Sequence, residues 1–457
     1  MSRTSALLAA LVLAGPAQAL AEDAALLEYV RGLEARIEEL ETNQDRLQAE
    51  LDAGSGAPSP PDPSLASAGH GNWSDRIRLS GSASTGWIDG EDHGVYPDGT
   101  FQIWDTRMFL EADLASDVRM DERLLVRDIG FLFEWNLVRI GTLQNDVGEL
   151  YVDFQGIADS GWLSAQVGRF QIPVGEGYLR YSQGYADNPF ITNALGAPWW
   201  WDEGIRLYGS SEENLFGYVA SVSAGETPFN RDADSDTQTT LKLFTNPTDW
   251  LHLSVSAARS GKIGSSSVPA MGAIWLGESW ARAFGTGTSV DSYQDGEVRA
   301  DGPNVLDRTW LLGGDVILDY QELARLWLGY GHYGIETDGP SLYDRELQYW
   351  IAELLLEGRL ASRSLDRVYL GLRGSGLGTY DRNEGYLLDS RYASTLGYNM
   401  SEYTAWSAVL GYRLTPNVTL RAEYTRSTVD LVSGVTDSIR AAGEDVDFIG
   451  ADVRLAF

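Results

Sequence analysis

Charged side chains that alternate with apolar ones are the residues of this sequence best placed to do chemistry. Arg107 and Glu111 fall opposite the phase of Met108, Leu110 and Ala112, and Glu149, Tyr151 and Asp153 alternate with Leu150, Val152 and Phe154. Arg206 and Tyr208 oppose Ile205 and Leu207, while Arg413, Arg421, Glu423 and Arg454 sit in the same phase further on. A period of two is the signature of a strand whose successive side chains point to opposite faces. One face is then apolar and the other carries both signs of charge. Facing rows of arginine and acid create a transverse field that orients dipolar or charged solutes. The same rows could instead be salt bridges bracing a wall, and each residue is open to both readings.

A second group lies between Gly175 and Glu203, a stretch too long for a turn. It holds Tyr178, Arg180, Tyr181, Tyr185, Asp187, Pro189 and Phe190, and ends in Trp199, Trp200 and Trp201. Folded into a pore, such a loop would narrow it, and aromatic faces suit a sugar or organic acid. The tryptophans stay open between that role, an outer aromatic girdle and a subunit interface.

Other chemistry is poorly supplied. Asp232, Asp234 and Asp236 have the spacing that starts a calcium loop, but Thr237 stands where glycine is needed and Leu243 where a bidentate glutamate belongs. His70, His93, His252 and His332 form no metal spacing and no serine–histidine constellation. With no cysteine in 457 residues, disulfides, thiolate metal sites and cysteine nucleophiles are all excluded. The expectation is a protein that is not an enzyme and holds no cofactor or metal.

The elements that must position the charged rows are strands. Ile449, Ala451, Val453, Leu455 and Phe457 alternate with Gly450, Asp452, Arg454 and Ala456. Leu410 to Leu414 and Val418 to Tyr424 flank a tight turn at Thr415-Pro416-Asn417. Short connections also fall at Asn246-Pro247-Thr248-Asp249 and near Asp319 to Glu322. Long stretches rich in Gly, Asp and Ser run over Thr227 to Asp236, Lys262 to Asn304, Gly334 to Asp344 and Gly374 to Gly385. Short turns on one rim and long loops on the other are the asymmetry of an outer-membrane barrel. Glycine is abundant at 50, with 22 tyrosines and 15 tryptophans, which agrees with that class. Over residues 73–457, sixteen strands would take about 24 residues each and eighteen about 21, both enough for the roughly 10 that span a bilayer. The predicted fold is all-β: a transmembrane antiparallel up-and-down β-barrel of 16 strands, or alternatively 18, preceded by an N-terminal α-helical coiled coil.

Ahead of the barrel, Arg3, the apolar run Ala6 to Gly15 and Ala17-Gln18-Ala19 read as a signal peptide over residues 1–21. Leu26, Val30, Leu33, Ile37, Leu40, Gln44, Leu47 and Leu51 then alternate four and three apart. These are coiled-coil core positions, so residues 22–52 should form a rod on the order of 45 Å long. Residues 53–72, rich in Pro, Gly and Ser, cannot bury a core and read as a linker. No downstream apolar run approaches the length of a spanning helix. The net charge of −32, from 66 acids against 34 basic residues, excludes nucleic acid as a partner. The predicted setting is the outer membrane of a Gram-negative bacterium, in contact with its lipid and lipopolysaccharide, with the rod in the periplasm.

Three resemblances add to this. The strand ending in Val453, Leu455 and Phe457 resembles the terminal signal that barrel-assembly machinery reads. The run from Gln166 to Gly175 (QVGRFQIPVG) resembles the VGxFxxPxG element of the phosphate-selective porin O/P family, and Asp202 to Gly209 resembles the strand after that family's loop. A coiled coil before a barrel is similar to the trimeric dicarboxylate and sucrose channels with a periplasmic extension. The resemblance implies a homotrimeric porin for small solutes or ions. It does not extend to phosphate, because the basic ladder of such channels needs lysines and only Lys242 and Lys262 are present. The reading from another class is a structural or adhesive barrel tethered through its rod.

Overall fold

The computed structural model describes residues 76–90, 99–139, 142–177, 188–194, 201–224, 237–259, 306–337, 345–379, 400–431 and 445–457. The signal peptide, coiled coil and linker lie outside them, as do the Asp232 to Asp236 motif and the stretches Thr227 to Asp236 and Lys262 to Asn304.

Sixteen strands follow one another: β1 (Ile77–Asp89), β2 (Thr100–Met120), β3 (Arg123–Arg139), β4 (Thr142–Gln155), β5 (Ser164–Gln171), β6 (Trp201–Ser210), β7 (Phe216–Ser223) and β8 (Gln238–Thr248). Then come β9 (Leu251–Arg259), β10 (Leu306–Tyr320), β11 (Ala324–Thr337), β12 (Arg345–Glu357), β13 (Val368–Thr379), β14 (Met400–Thr415), β15 (Val418–Leu431) and β16 (Asp445–Ala456). Each pairs antiparallel with its sequence neighbour, and β1 pairs with β16 from Ser82 opposite Ala456 to Asp89 opposite Ile449. Gly81 and Phe457 extend that ladder by exchanging backbone bonds of 2.9 and 3.0 Å. The ring is closed, which removes the unpaired edges that an open sheet would expose.

Polarity is inverted relative to a water-soluble fold. On β8, Leu243 is 47% exposed on the outer face while its neighbour Lys242 is 2% exposed on the inner one. Val167, Ile205, Leu207, Leu241, Val255, Leu410 and Tyr424 continue the apolar exterior. Ser221, Thr240, Ser254, Ser256, Glu353 and Thr425 are buried on the interior. An apolar outside around a polar inside is the pattern imposed by lipid.

On one rim the connections are tight, as at residues 121–122, 249–250 and 416–417. The other rim carries long connections, including 172–200 and 260–305. Two sequence boundaries shift: Gly334 to Thr337 and Gly374 to Thr379 are strand, because glycines leave room for large neighbours such as Trp310 beside Gly334 and Trp406 beside Gly374. Likewise β8 runs through Pro247 to Thr248 with a register slip, and the turn falls on Asp249 and Trp250.

Candidate functional site

β5 has only eight residues because the chain turns inward at Gln171. The Gln171 N–H donates to Glu149 Oε1 at 3.1 Å, and its carbonyl accepts from Arg206 Nη1 at 3.0 Å. Arg206 also donates to Gln166 Oε1 at 2.6 Å and lies over the Phe170 ring. Glu134 supports Glu149 by accepting its backbone N–H at 2.9 Å, and faces Arg107 at 3.8 Å. Beyond this take-off, two pieces of the infolded segment are bonded to the inner wall.

The first is residues 172–177, against β8 to β10. Gly175 adopts φ +67°, the left-handed region that only glycine enters freely. Its N–H donates to Ser256 Oγ at 3.0 Å and its carbonyl accepts from Lys242 Nζ at 2.9 Å. Glu176 Oε1 takes Lys242 Nζ at 2.6 Å and His252 Nε2 at 2.7 Å. Burial alone would push the Glu176 carboxyl up, but the His252 hydrogen bond and the Lys242 charge hold it down to about 2. Asp315 lies beside them, its Oδ1 accepting from Trp327 Nε1 at 2.8 Å.

The second is residues 188–194, seated on β13 to β16 and on β2. Every carbonyl from Asn188 to Thr192 has a donor on the wall. The Asn188 carbonyl accepts from Arg421 and Arg454 at 3.2 Å each, and that of Pro189 from Tyr369 Oη at 2.9 Å. Phe190 O accepts from Arg421 Nη1 at 2.6 Å and Ile191 O from Trp104 Nε1 at 3.2 Å. Thr192 O accepts from both Arg373 Nη atoms at 3.1 Å. In the other direction the Ile191 and Thr192 amides converge on Glu423 Oε2, the latter at 3.1 Å, and Thr192 Oγ1 bonds to Glu423 Oε1. Arginine, with five donors and no acceptor, is suited to satisfying carbonyls that burial would otherwise strand. Phe190 packs on Tyr369 and Val409 beneath the Arg373 guanidinium, 4.2 Å above its ring. Ile191 joins Ile88, Trp104, Trp201 and Phe448. Arg421 also pairs with Asp452, Nε to Oδ1 at 2.9 Å.

Against the sequence reading, the charged rows do turn inward, but most end on protein. Arg107, Glu149, Asp153, Arg206, Arg421 and Glu423 are buried. Asp153 accepts twice from Tyr208 Oη, at 2.8 and 3.0 Å. Glu111, Arg413 and Arg454 are partly exposed towards the turn rim, where Glu111 pairs with Arg78 at 3.1 Å and Arg413 with Glu357 at 2.7 Å. Trp201 opens β6 and packs inside on Ile191. Tyr178, Arg180, Tyr181, Tyr185, Asp187, Trp199 and Trp200 lie outside the described residues. Sequence reasoning missed Lys242, His252, Asp315, Arg373, Trp104 and Tyr369. Alternation points Lys242 inward between Leu241 and Leu243, and Arg373 inward beside Leu372, so a longer inspection could have found them.

No protein-family model matches the sequence, and no curated protein matches it. The fold has clear relatives among solved structures. The anion-selective porin from Comamonas acidovorans superposes with a TM-score of 0.52 at 10% identity, covering 83% of this chain and 99% of that one. The outer-membrane channel DcaP of Acinetobacter baumannii gives 0.51 at 10% identity over 83% and 97%. The outer-membrane protein OmpT of Vibrio cholerae, in its trimer form, gives 0.51 at 11% identity over 83% and 99%. The chain therefore has the closed sixteen-stranded fold of outer-membrane porins.

Proposed function

We propose that this chain is an outer-membrane porin giving small hydrophilic solutes or ions passive passage through a charge-lined pore that the infolded segment narrows. The observation that carries this is the placement of residues 172–177, which leave the wall after β5, and of residues 188–194, which bond to the interior face of β13 to β16. Short turns would face the periplasm, together with the rod expected at residues 22–52, and long loops would face outward. Assembly as a homotrimer is part of the proposal, since a neighbour of the same fold is named in a trimer form.

Selectivity should be modest. Arg206, Arg373 and Arg421 are engaged with carbonyls, an amide oxygen and carboxylates, so they do not form a bare anion ladder. The field of the acidic chain, net charge −32, reaches only about 8 Å at 0.15 M salt and would bias entry near the mouth. Preference should therefore shift towards cations as salt is lowered. The test is conductance of the purified protein in planar bilayers, with reversal potentials at several ionic strengths. Absence of discrete ohmic steps would overturn the channel, and a strong, salt-independent anion preference would overturn the charge argument.

A further inference from the structure

The geometry points to Arg373, Arg421 and Glu423 as positioning residues that set the bore by gripping the infolded segment through its main chain. This rests on the porin reading above. Sequence alternation alone offered Arg421 and Glu423 as solute contacts, yet their side chains, with those of Arg373 and Asp452, are between 0 and 4% exposed. Groups so enclosed do not meet a passing solute. What they meet is the peptide backbone from Asn188 to Thr192, every carbonyl of which accepts from a wall side chain.

Glu423 supplies the complementary half. Its two oxygens take the successive amides of Ile191 and Thr192 and the hydroxyls of Thr192 and Thr425. Apart from the Thr192 hydroxyl, none of these bonds reads a side chain of the segment. The grip therefore holds the position of the backbone, while Phe190 and Ile191 pack into the apolar clusters of the wall. Arg373 and Arg421 with Glu423 and Asp452 form a charge-balanced buried unit, which Arg454 joins from a partly exposed position at the Asn188 carbonyl. Such a unit tolerates burial, and removing one member leaves the others uncompensated. The bore is then fixed by these side chains without their touching the solute.

The experiment compares the full-length protein with Glu423→Ala, Glu423→Gln and Thr192→Val. Hydrogen exchange at Ile191 and Thr192 and single-channel conductance are read on the same preparations, with heat-modifiable gel migration reporting barrel closure. Glu423→Ala should speed exchange by about tenfold or more, as expected for losing a buried charged hydrogen bond, and should change the conductance or its noise. Glu423→Gln keeps an oxygen for the two amides but loses the charge, so its exchange should lie between those of the wild type and Glu423→Ala. Thr192→Val removes the hydroxyl bonds to Glu423 and Arg373 but leaves both amide bonds, so it should speed exchange less than Glu423→Ala does. Unchanged exchange in Glu423→Ala, or faster exchange with unchanged conductance, overturns the inference. If Glu423→Ala does not close its barrel, the intermediate exchange expected of Glu423→Gln decides, and wild-type exchange there overturns the grip. A wild type without conductance steps overturns the diffusion reading and the bore with it, while exchange in the variants still decides whether the grip exists.

Discussion

The infolded segment is held at two places by opposite strategies. Around Gly175 and Glu176 the segment contributes its own charged side chain, and one lysine of the wall meets both that carboxylate and the neighbouring carbonyl. Around Asn188 to Thr192 the segment contributes backbone and apolar side chains, and the wall contributes the charges. The first is a pin at one point and the second a grip along five residues. A pin depends on the identity of a single loop residue, whereas a grip depends on the wall. The same chain can therefore be loosened at one anchorage by changing the loop and at the other only by changing strands far away in sequence.

That contrast can be tested from the strongest expected effect downward. Arg421→Ala leaves Asp452 buried without its arginine and strips the Phe190 carbonyl of its donor, while Asn188 keeps Arg454, so it should cost about 3–5 kcal/mol. The measurement is the urea midpoint of the refolded barrel, and a loss below about 1 kcal/mol would show the grip to be weak. Lys242→Met removes the two lysine bonds of the pin and leaves those of Ser256 and His252, and should cost about 1.5–3 kcal/mol. Combined with Arg421→Ala it should be additive, because the two anchorages share no partner, and a coupling above about 0.5 kcal/mol would merge them into one unit. Gly175→Ala forces a side chain into the left-handed region and should cost about 1–2 kcal/mol, again at the pin alone. The smallest effect is expected from acid. The Glu176 carboxyl is lowered from 4.5 to about 2. Its contribution is therefore complete above the unfolded value near 4.5 and lost as pH falls through about 2. The protection factor at Gly175, exchange relative to the intrinsic rate at each pH, should stay constant between pH 7 and 5, and a fall within that interval would show that another group controls the pin.

Much of the barrel is legible in the sequence because lipid enforces a strict period of two. Leu241, Lys242 and Leu243 spell one outward, one inward and one outward residue, and the structure follows them. The choice of sixteen over eighteen was not legible, since strand lengths range from 8 residues in β5 to 21 in β2 and average spacing hides that spread. Direction was readable and destination was not. Arg421 points inward on alternation alone, but its partners at Asn188 and Phe190 lie more than 230 residues away. No local pattern encodes a contact that only the closed ring creates. For Arg206 and Arg421 the bracing reading describes contacts made with the inward-turning chain at Gln171, Asn188 and Phe190, and for Arg107 contacts made with Asp105 and Glu134 of the wall.

The pairing of β1 with β16 also imposes an order in time. A ladder between the first and last strands cannot form until the last strand is in place, so the edge from Ser82 to Asp89 has no ladder partner before β16 arrives. Such an edge invites the wrong neighbour, and non-local pairings of this kind are slow. The seat for residues 188–194 is built from β13 to β16 and β2, so it too is late. The segment must then either lie inside before the ring shuts or thread in afterwards from the rim of long loops. Ring closure and seating are thus the two final events of maturation, and arresting the first should leave the second undone.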